Sequence, residues 1–385
     1  MSTWRLACSA CDHASGPRPL AALCPTCGEP QLVRYDRPHD AAGLRERWRT
    51  RAPGMWRYRE LLPLGPEETP VSLGEGGTPL LELPRTSLDT GLRLWLKEEG
   101  GNPTGSFKDR GMSAAVTRAT LDGAESFVLP SAGNAGVALA AYAARAGRTA
   151  TIFIPEDTPP AVTARCRVFG ADVRLVPGLI SDCGARAAEF ARETDAFDLS
   201  TLREPFRIEG KKTMGLEILE ALDWRPPDAV VYPTGGGTGL IGTWKALEEA
   251  AGLGWIDGID TRMYAVQAEG CAPVVRAWES GEGRIEAWTD ARTAAWGLRV
   301  PSARGDALML RALRDSGGGG VRVSDDEMRA SGEQLAAVDG VAPGIEGGAV
   351  LAGMRRLLAR GDLKPGDTVV LFNTGNLSNY GWYTT

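Results

Sequence analysis

The chain has 385 residues, with 43 Lys and Arg against 49 Asp and Glu and a formal charge of −6 with neutral histidines. That mild acidity argues against a general binder of nucleic acid or anionic membrane, because phosphate-rich surfaces attract basic faces. An apolar fraction of 43% and a charged fraction of 24% fit a soluble globular protein long enough for two or three domains. Glycine reaches 49 residues, roughly 13% where about 7% is usual. Both histidines, His13 and His39, stand near the N-terminus, so the main body lacks the imidazole that Ser-His-Asp, Cys-His and histidine-ligated catalytic metal sites require.

The stretch from Met1 to Cys8 has no basic segment followed by an apolar core, so no secretory signal is expected there. No apolar run approaches the roughly 20 residues of a bilayer span; the longest, around Val137 to Ala146, contains Arg145. A cytoplasmic protein with reduced thiols is expected. Four of the seven cysteines are patterned: Cys8-x2-Cys11, twelve intervening residues, then Cys24-x2-Cys27. Two tight knuckles aimed at one point give a tetrahedral set of thiolates, so residues 1–36 read as a zinc ribbon with a structural, closed metal site. Four unrelated thiols or a redox pair is the alternative. Cys166, Cys183 and Cys271 lack partner spacing and read as buried small apolar residues.

A linker rich in Arg, Pro and Trp is expected from the ribbon to about residue 70, and alternation of short apolar and longer amphipathic segments follows. Strands are predicted at 92–97, 126–129, 149–154, 172–176, 229–232, 263–267 and 368–372. Helices are predicted at 108–121, 135–145, 160–169, 182–193, 207–222, 239–250, 307–316, 325–338 and 347–359. This order points to the α/β class with mostly parallel sheets. Ligands in that class sit at the carboxyl ends of strands, so the strand-to-helix loops are where chemistry is expected.

Four loops stand out. Gly101-Asn-Pro-Thr-Gly-Ser-Phe-Lys108 ends at a lysine on the first turn of a helix, where the positive dipole end and partial burial disfavour the ammonium. Lys108 is thus a candidate Schiff-base amine, with a lysine reaching solvent as the alternative. In Pro130-Ser131-Ala132-Gly133-Asn134-Ala-Gly136, small residues let a ligand approach the backbone, and Asn134 is a helix cap or a polar contact to a ring hydroxyl. The third loop, Thr234-Gly235-Gly236-Gly237-Thr238-Gly239, exposes amides at a helix N-terminus, as a phosphate dianion requires. It also fits the dinucleotide fingerprint formally, at Gly237, Gly239 and Gly242. The fourth, Phe372-Asn-Thr374-Gly, places a hydroxyl at a strand end, either for a ring nitrogen or for a turn. A lysine, a phosphate cup, an amide side chain and a hydroxyl are together the anchoring points of pyridoxal phosphate.

These motifs, with Glu75-Gly-Gly-Thr-Pro-Leu80, Lys97 through Met112 and Pro205-Phe-Arg-Ile-Glu-Gly-Lys-Lys-Thr213, resemble threonine synthase, within the fold-type II pyridoxal-phosphate enzymes. The resemblance covers the chain from about residue 75 onward, and the ribbon resembles the N-terminal extension of many members. It implies a large cofactor-binding α/β domain of residues 37–108 and 203–385, a small α/β domain of residues 109–202, and a homodimer. It also implies that Lys108 carries the cofactor as a Schiff base, with Phe107 beside it, Asn134 on the 3-hydroxyl, Gly235 to Gly239 on the phosphate and Thr374 on the pyridine nitrogen. Ser131, Ala132, Gly133 and Arg207 would face the substrate. In the implied reaction O-phospho-L-homoserine is the small-molecule substrate. The freed lysine takes the Cα proton, a Cβ proton leaves, phosphate departs from Cγ and water adds at Cβ to give L-threonine.

The chain departs from that pattern at three places. Thr374-Gly-Asn-Leu-Ser-Asn-Tyr380 replaces the family's Thr-Gly-x-Gly-Leu-Lys, Ala135 and Gly136 stand where hydroxyl residues are common, and Ser200-Thr-Leu-Arg-Glu-Pro205 replaces an Asn-rich stretch. Arg207 remains as a candidate phosphate ligand, with a surface salt bridge as its alternative. Lost polar contacts at these loops shift substrate preference while leaving cofactor chemistry intact. A related lyase or β-replacement enzyme, and a non-catalytic zinc-ribbon binding protein, are therefore the competing readings.

Overall fold

The computed structural model describes residues 4–36 and 40–379; His39 and Tyr380 lie outside the described residues. The chain divides into two compact units. The first takes the described residues up to Gly77, Asn102–Thr104 and Lys108–Thr213, and the second takes Thr78–Gly101, Gly105–Phe107 and the chain from Met214 onward.

In the first unit, strands Trp4–Cys8, Ala14–Ser15 and Gln31–Tyr35 form a small antiparallel sheet. A four-stranded parallel sheet follows, in the order Asp172–Val176, Thr149–Pro155, Ser126–Pro130 and Phe197–Asp198. Helices Lys108–Leu121 and Asn134–Arg145 pack on it through Met112, Val116, Phe127, Leu129, Ala138 and Tyr142. Leu6 and Val33 of the N-terminal sheet, with Ala21 from the segment between its strands, share that core with Phe206. The segment read as a linker is instead ordered. Helix Ala41–Thr50 and the 3-10 turn Met55–Leu61 bury Leu44, Trp48, Met55 and Tyr58. Trp48 stacks edge-on against Tyr58 at 4.9 Å and donates to Glu60, which also pairs with Arg51. The helix is only ten residues long and its buried stripe is two side chains wide, too short a period to stand out among its arginines.

The second unit is built on a six-stranded sheet in the order Gly319–Val323, Arg262–Ala268, Ala229–Pro233, Thr368–Asn373, Arg93–Glu98 and Leu80–Glu82. All neighbours are parallel except the last pair. Ala229–Pro233 is buried throughout, as expected of a strand covered on both faces. Its core joins Leu94, Val231, Val266, Val321 and Leu371 to Val350 and Leu351 of helix Ile345–Arg360. The predicted strands and helices are found with ends shifted by three residues or fewer. Short elements were missed, among them Gly319–Val323, where two glycines dilute the apolar signal, and helices Pro84–Thr90 and Pro273–Glu279.

Candidate active site and metal centre

The site in the second unit follows from strand order. Arg93–Glu98, Thr368–Asn373 and Ala229–Pro233 are adjacent and parallel, so the loops at their carboxyl ends emerge side by side. Those loops carry Phe107, Thr374 and the glycine cup. Phe107 donates its amide to the Thr374 carbonyl at 3.1 Å, and its ring meets Tyr232 edge-on at 6.2 Å. Tyr232, buried at the end of Ala229–Pro233, also packs on Phe372 at 4.7 Å. A Cβ at Gly239 would strike the Tyr232 hydroxyl, one at Gly237 the Met309 sulfur and one at Gly235 the Gly297 carbonyl. Gly237 has φ +77° and stands at the N-cap of helix Thr238–Gly252 with no side-chain cap. The cup is therefore bare backbone leading into a fifteen-residue helix, which suits a phosphate group. Tyr232 is the residue that sequence reasoning missed, since an aromatic at a strand end carries no distinguishing signal.

The segment after Thr374 has a structural part, in which Asn379 stands at a replaced position. Asn376 donates its amide to the Gly105 carbonyl at 2.8 Å, and the Asn379 side chain donates to the same oxygen at 2.8 Å. Residues 105–107 of the lysine loop are thus held against the C-terminal segment.

In the first unit, Lys108 is the first residue of helix Lys108–Leu121 and is half-buried. Asp109 beside it accepts the Thr104 amide at 2.6 Å and the Thr104 hydroxyl, while Gly76 donates to Asn102 at 3.0 Å. Burial pushes the Asp109 carboxyl up to about 7 against these donors. Glu75 is a buried hub that accepts from Trp56 at 2.9 Å, Tyr142 at 2.7 Å and Ser113.

Asn134 is not the helix cap. It is the first helical residue and Gly133 stands at the N-cap; the Ser131 hydroxyl instead accepts the Gly136 amide at 2.9 Å. A side chain at Gly136 would meet Ile152 and Ser131 at 3.1 and 3.3 Å, so these neighbours would have to shift slightly to admit it. Ala132 and Gly133 remain partly accessible in this loop.

Arg207 is not in a surface salt bridge. It is 2% exposed, and its guanidinium donates to the Leu199 carbonyl at 2.9 Å; burial lowers its pKa despite Glu204 and Asp198 nearby. Glu204 accepts the amides of Phe206 and Arg207 at 2.6 and 3.0 Å, capping helix Phe206–Ala221. Strands Ser126–Pro130 and Phe197–Asp198 are parallel neighbours, so the Ser131 loop and the segment leading to Arg207 leave the same sheet edge.

The four ribbon sulfurs all lie within 4.8 Å of one another. Cys8 and Cys27 are 3.4 Å apart and Cys11 and Cys24 3.8 Å, against about 3.8 Å between sulfurs of a tetrahedral zinc site with bonds of about 2.3 Å. The set fits a closed tetrathiolate centre. The other three cysteines are buried. Among the described residues, no helix is long and apolar enough to cross a membrane.

The chain belongs to the pyridoxal-phosphate dependent enzymes, whose family model matches residues 71–375. Threonine synthases are among its relatives. That of Methanosarcina acetivorans is 33% identical over 376 residues, 97% of this chain and 92% of the relative. That of Methanocaldococcus jannaschii is 35% identical over 333 residues, 86% of this chain and 82% of the relative. Among solved structures, maize serine racemase aligns with a TM-score of 0.70 at 22% identity, over 80% of this chain and 90% of that one; this likeness concerns the fold.

Proposed function

We propose that the chain is a threonine synthase, a pyridoxal-phosphate-dependent lyase that converts O-phospho-L-homoserine and water to L-threonine and phosphate. The observation that carries this reading is the pinned lysine loop, with Lys108 opening a helix whose next residue is tied to Thr104, in a unit that also buries Arg207. Lys108 would hold the cofactor, Asn134 its 3-hydroxyl, Gly235, Gly236, Gly237, Thr238 and Gly239 its phosphate, and Thr374 its ring nitrogen, with Phe107 alongside. When bound, pyridoxal phosphate supplies an electron sink for charge developing at the substrate Cα.

The protein's own residues do the rest. The Lys108 amine takes and returns protons, and the Thr104–Asp109 bonds fix where its helix begins. Arg207 binds the anionic group, Ser131 shapes a loop whose backbone at Ala132 and Gly133 meets the amino acid, and the neutral Thr374 hydroxyl leaves the ring a weaker sink than a carboxylate partner would. Cys8, Cys11, Cys24 and Cys27 would hold a structural zinc ion with no open position. A cytoplasmic homodimer is part of the same reading.

Phosphate release and threonine formation from phosphohomoserine test the proposal, and a cofactor-loaded protein that yields neither contradicts it. The loop with Ala135 and Gly136 favours a second reading, a related lyase or β-replacement enzyme for another amino acid, which a substrate screen on the same protein would reveal.

A further inference from the structure

Glu98 and Asn373 have no role in the reading above, yet they bind each other beside the strand end that carries Thr374. They are direct neighbours across the parallel strands Arg93–Glu98 and Thr368–Asn373, so their side chains leave the same face of the sheet. The Asn373 Nδ2 group donates to both Glu98 carboxylate oxygens, at 2.9 and 2.8 Å, and the Gly100 amide donates to the first of them at 2.7 Å. Glycines let the pair close. A Cβ at Gly100 would stand 2.7 Å from the Glu98 carboxylate, and one at Gly347 would stand 2.8 Å from the Asn373 side-chain oxygen.

A carboxylate with a donor at each oxygen only accepts, which fixes the Asn373 amide with its NH2 group toward Glu98 and its oxygen turned away. That oxygen accepts the Gly344 amide at 3.1 Å, and the same amide lies 3.2 Å from the Gly375 carbonyl. One N–H group thus ties down the side chain before Thr374 and the carbonyl after it. Phe107 holds the Thr374 carbonyl itself at 3.1 Å. Asn373 is 1% and Thr374 7% exposed, so a partner lost from this bracket is not replaced freely by water.

We propose that Glu98 is a positioning residue for Thr374: through Asn373 it sets where the threonine hydroxyl is presented to the cofactor's ring nitrogen. This rests on the ring contact proposed above for Thr374. Glu98 acts through the Asn373 amide, and no covalent bond or proton changes hands.

A double-mutant cycle tests it, read on the full chain by titration with pyridoxal phosphate and by the pH dependence of the bound cofactor's absorbance. Thr374→Val and Glu98→Ala should each weaken binding about tenfold and move the absorbance titration in the same direction. The double variant should lose less than about threefold beyond Thr374→Val, because residues acting through one contact do not add. Glu98→Gln, which keeps an acceptor oxygen for Asn373, should bind within about threefold of the wild type. Losses that multiply in the double variant, or wild-type affinity and absorbance in Glu98→Ala, overturn the inference and leave the ring contact standing. Wild-type behaviour of Thr374→Val removes the ring contact and this inference together. Where Glu98→Ala does not fold, the same cycle with Asn373→Ser decides, and multiplying losses again overturn the inference.

Discussion

The hydroxyl of Tyr35, on the last strand of the ribbon sheet, donates to the Glu209 carboxylate at 2.9 Å. Glu209 also receives the Lys212 ammonium at 2.7 Å, and that ammonium lies 4.2 Å from the centre of the Tyr35 ring. Trp4 packs edge-on against Phe206 of the same helix at 6.0 Å. Glu209 and Lys212 share the helix with Arg207, so the ribbon braces the segment that presents the proposed anion ligand.

Loss of the metal should therefore be felt by the substrate more than by the cofactor. Cys24→Ser is expected to bind no zinc and to raise KM for the phosphorylated substrate about tenfold, a coupling of about 1.4 kcal/mol. Cofactor affinity should change by less than about threefold, under half that energy. Metal analysis, steady-state kinetics and cofactor titration check this, and equal losses of cofactor affinity in Cys24→Ser and Lys108→Ala would contradict it.

The glycine cup tolerates no side chain where Tyr232 approaches. Gly239→Ala should force the ring or the helix start to move, costing about 1–3 kcal/mol of stability and weakening cofactor binding, while Gly258→Ala, which meets open space, should leave both unchanged. Thermal unfolding with and without pyridoxal phosphate separates the two variants, and equal behaviour would remove the cup from the account.

The Thr104 hydroxyl and the Thr104 amide both donate to the Asp109 carboxylate. Thr104→Val leaves that buried group short of a hydrogen bond at a cost of about 1–3 kcal/mol and frees the start of the Lys108 helix. The expected signature is a fall in kcat larger than any rise in KM. Thr104→Ser should restore most of the rate, and a variant pair that behaves alike would show that the hydroxyl does not position Lys108.

Burial raises Glu204 from 4.5 to about 7. The folded chain thus keeps a proton that the unfolded chain has released between those values, so this group's stabilising contribution is full below about pH 4.5 and declines until about pH 7. Glu204→Gln stays neutral and keeps an acceptor for the Phe206 and Arg207 amides. Relative to wild type it should gain up to about 3 kcal/mol across that window, measured by urea unfolding at about pH 5 and about pH 8; a constant difference would show that Glu204 is ionised throughout.

Much of this was legible in the residues. Lys108 opens its helix and the four cysteines converge because both patterns are local, set by a few residues of spacing and turn chemistry. The cap alternative for Asn134 gives way because Ser131 reaches the Gly136 amide, which nothing nearby in sequence shows. The surface salt bridge considered for Arg207 fails because tertiary packing buries it. Asn379, noticed as a departure, gains meaning only when the chain returns to Gly105 from 274 positions away.

The central claim is that Lys108 serves a cofactor-dependent elimination of phosphate followed by addition of water. The most direct test follows phosphate and threonine together from O-phospho-L-homoserine, using wild type and Lys108→Ala loaded with pyridoxal phosphate. One threonine per phosphate from the wild type, and neither product from the variant, is the expected result. Phosphate without threonine, or full turnover by Lys108→Ala, would contradict the account.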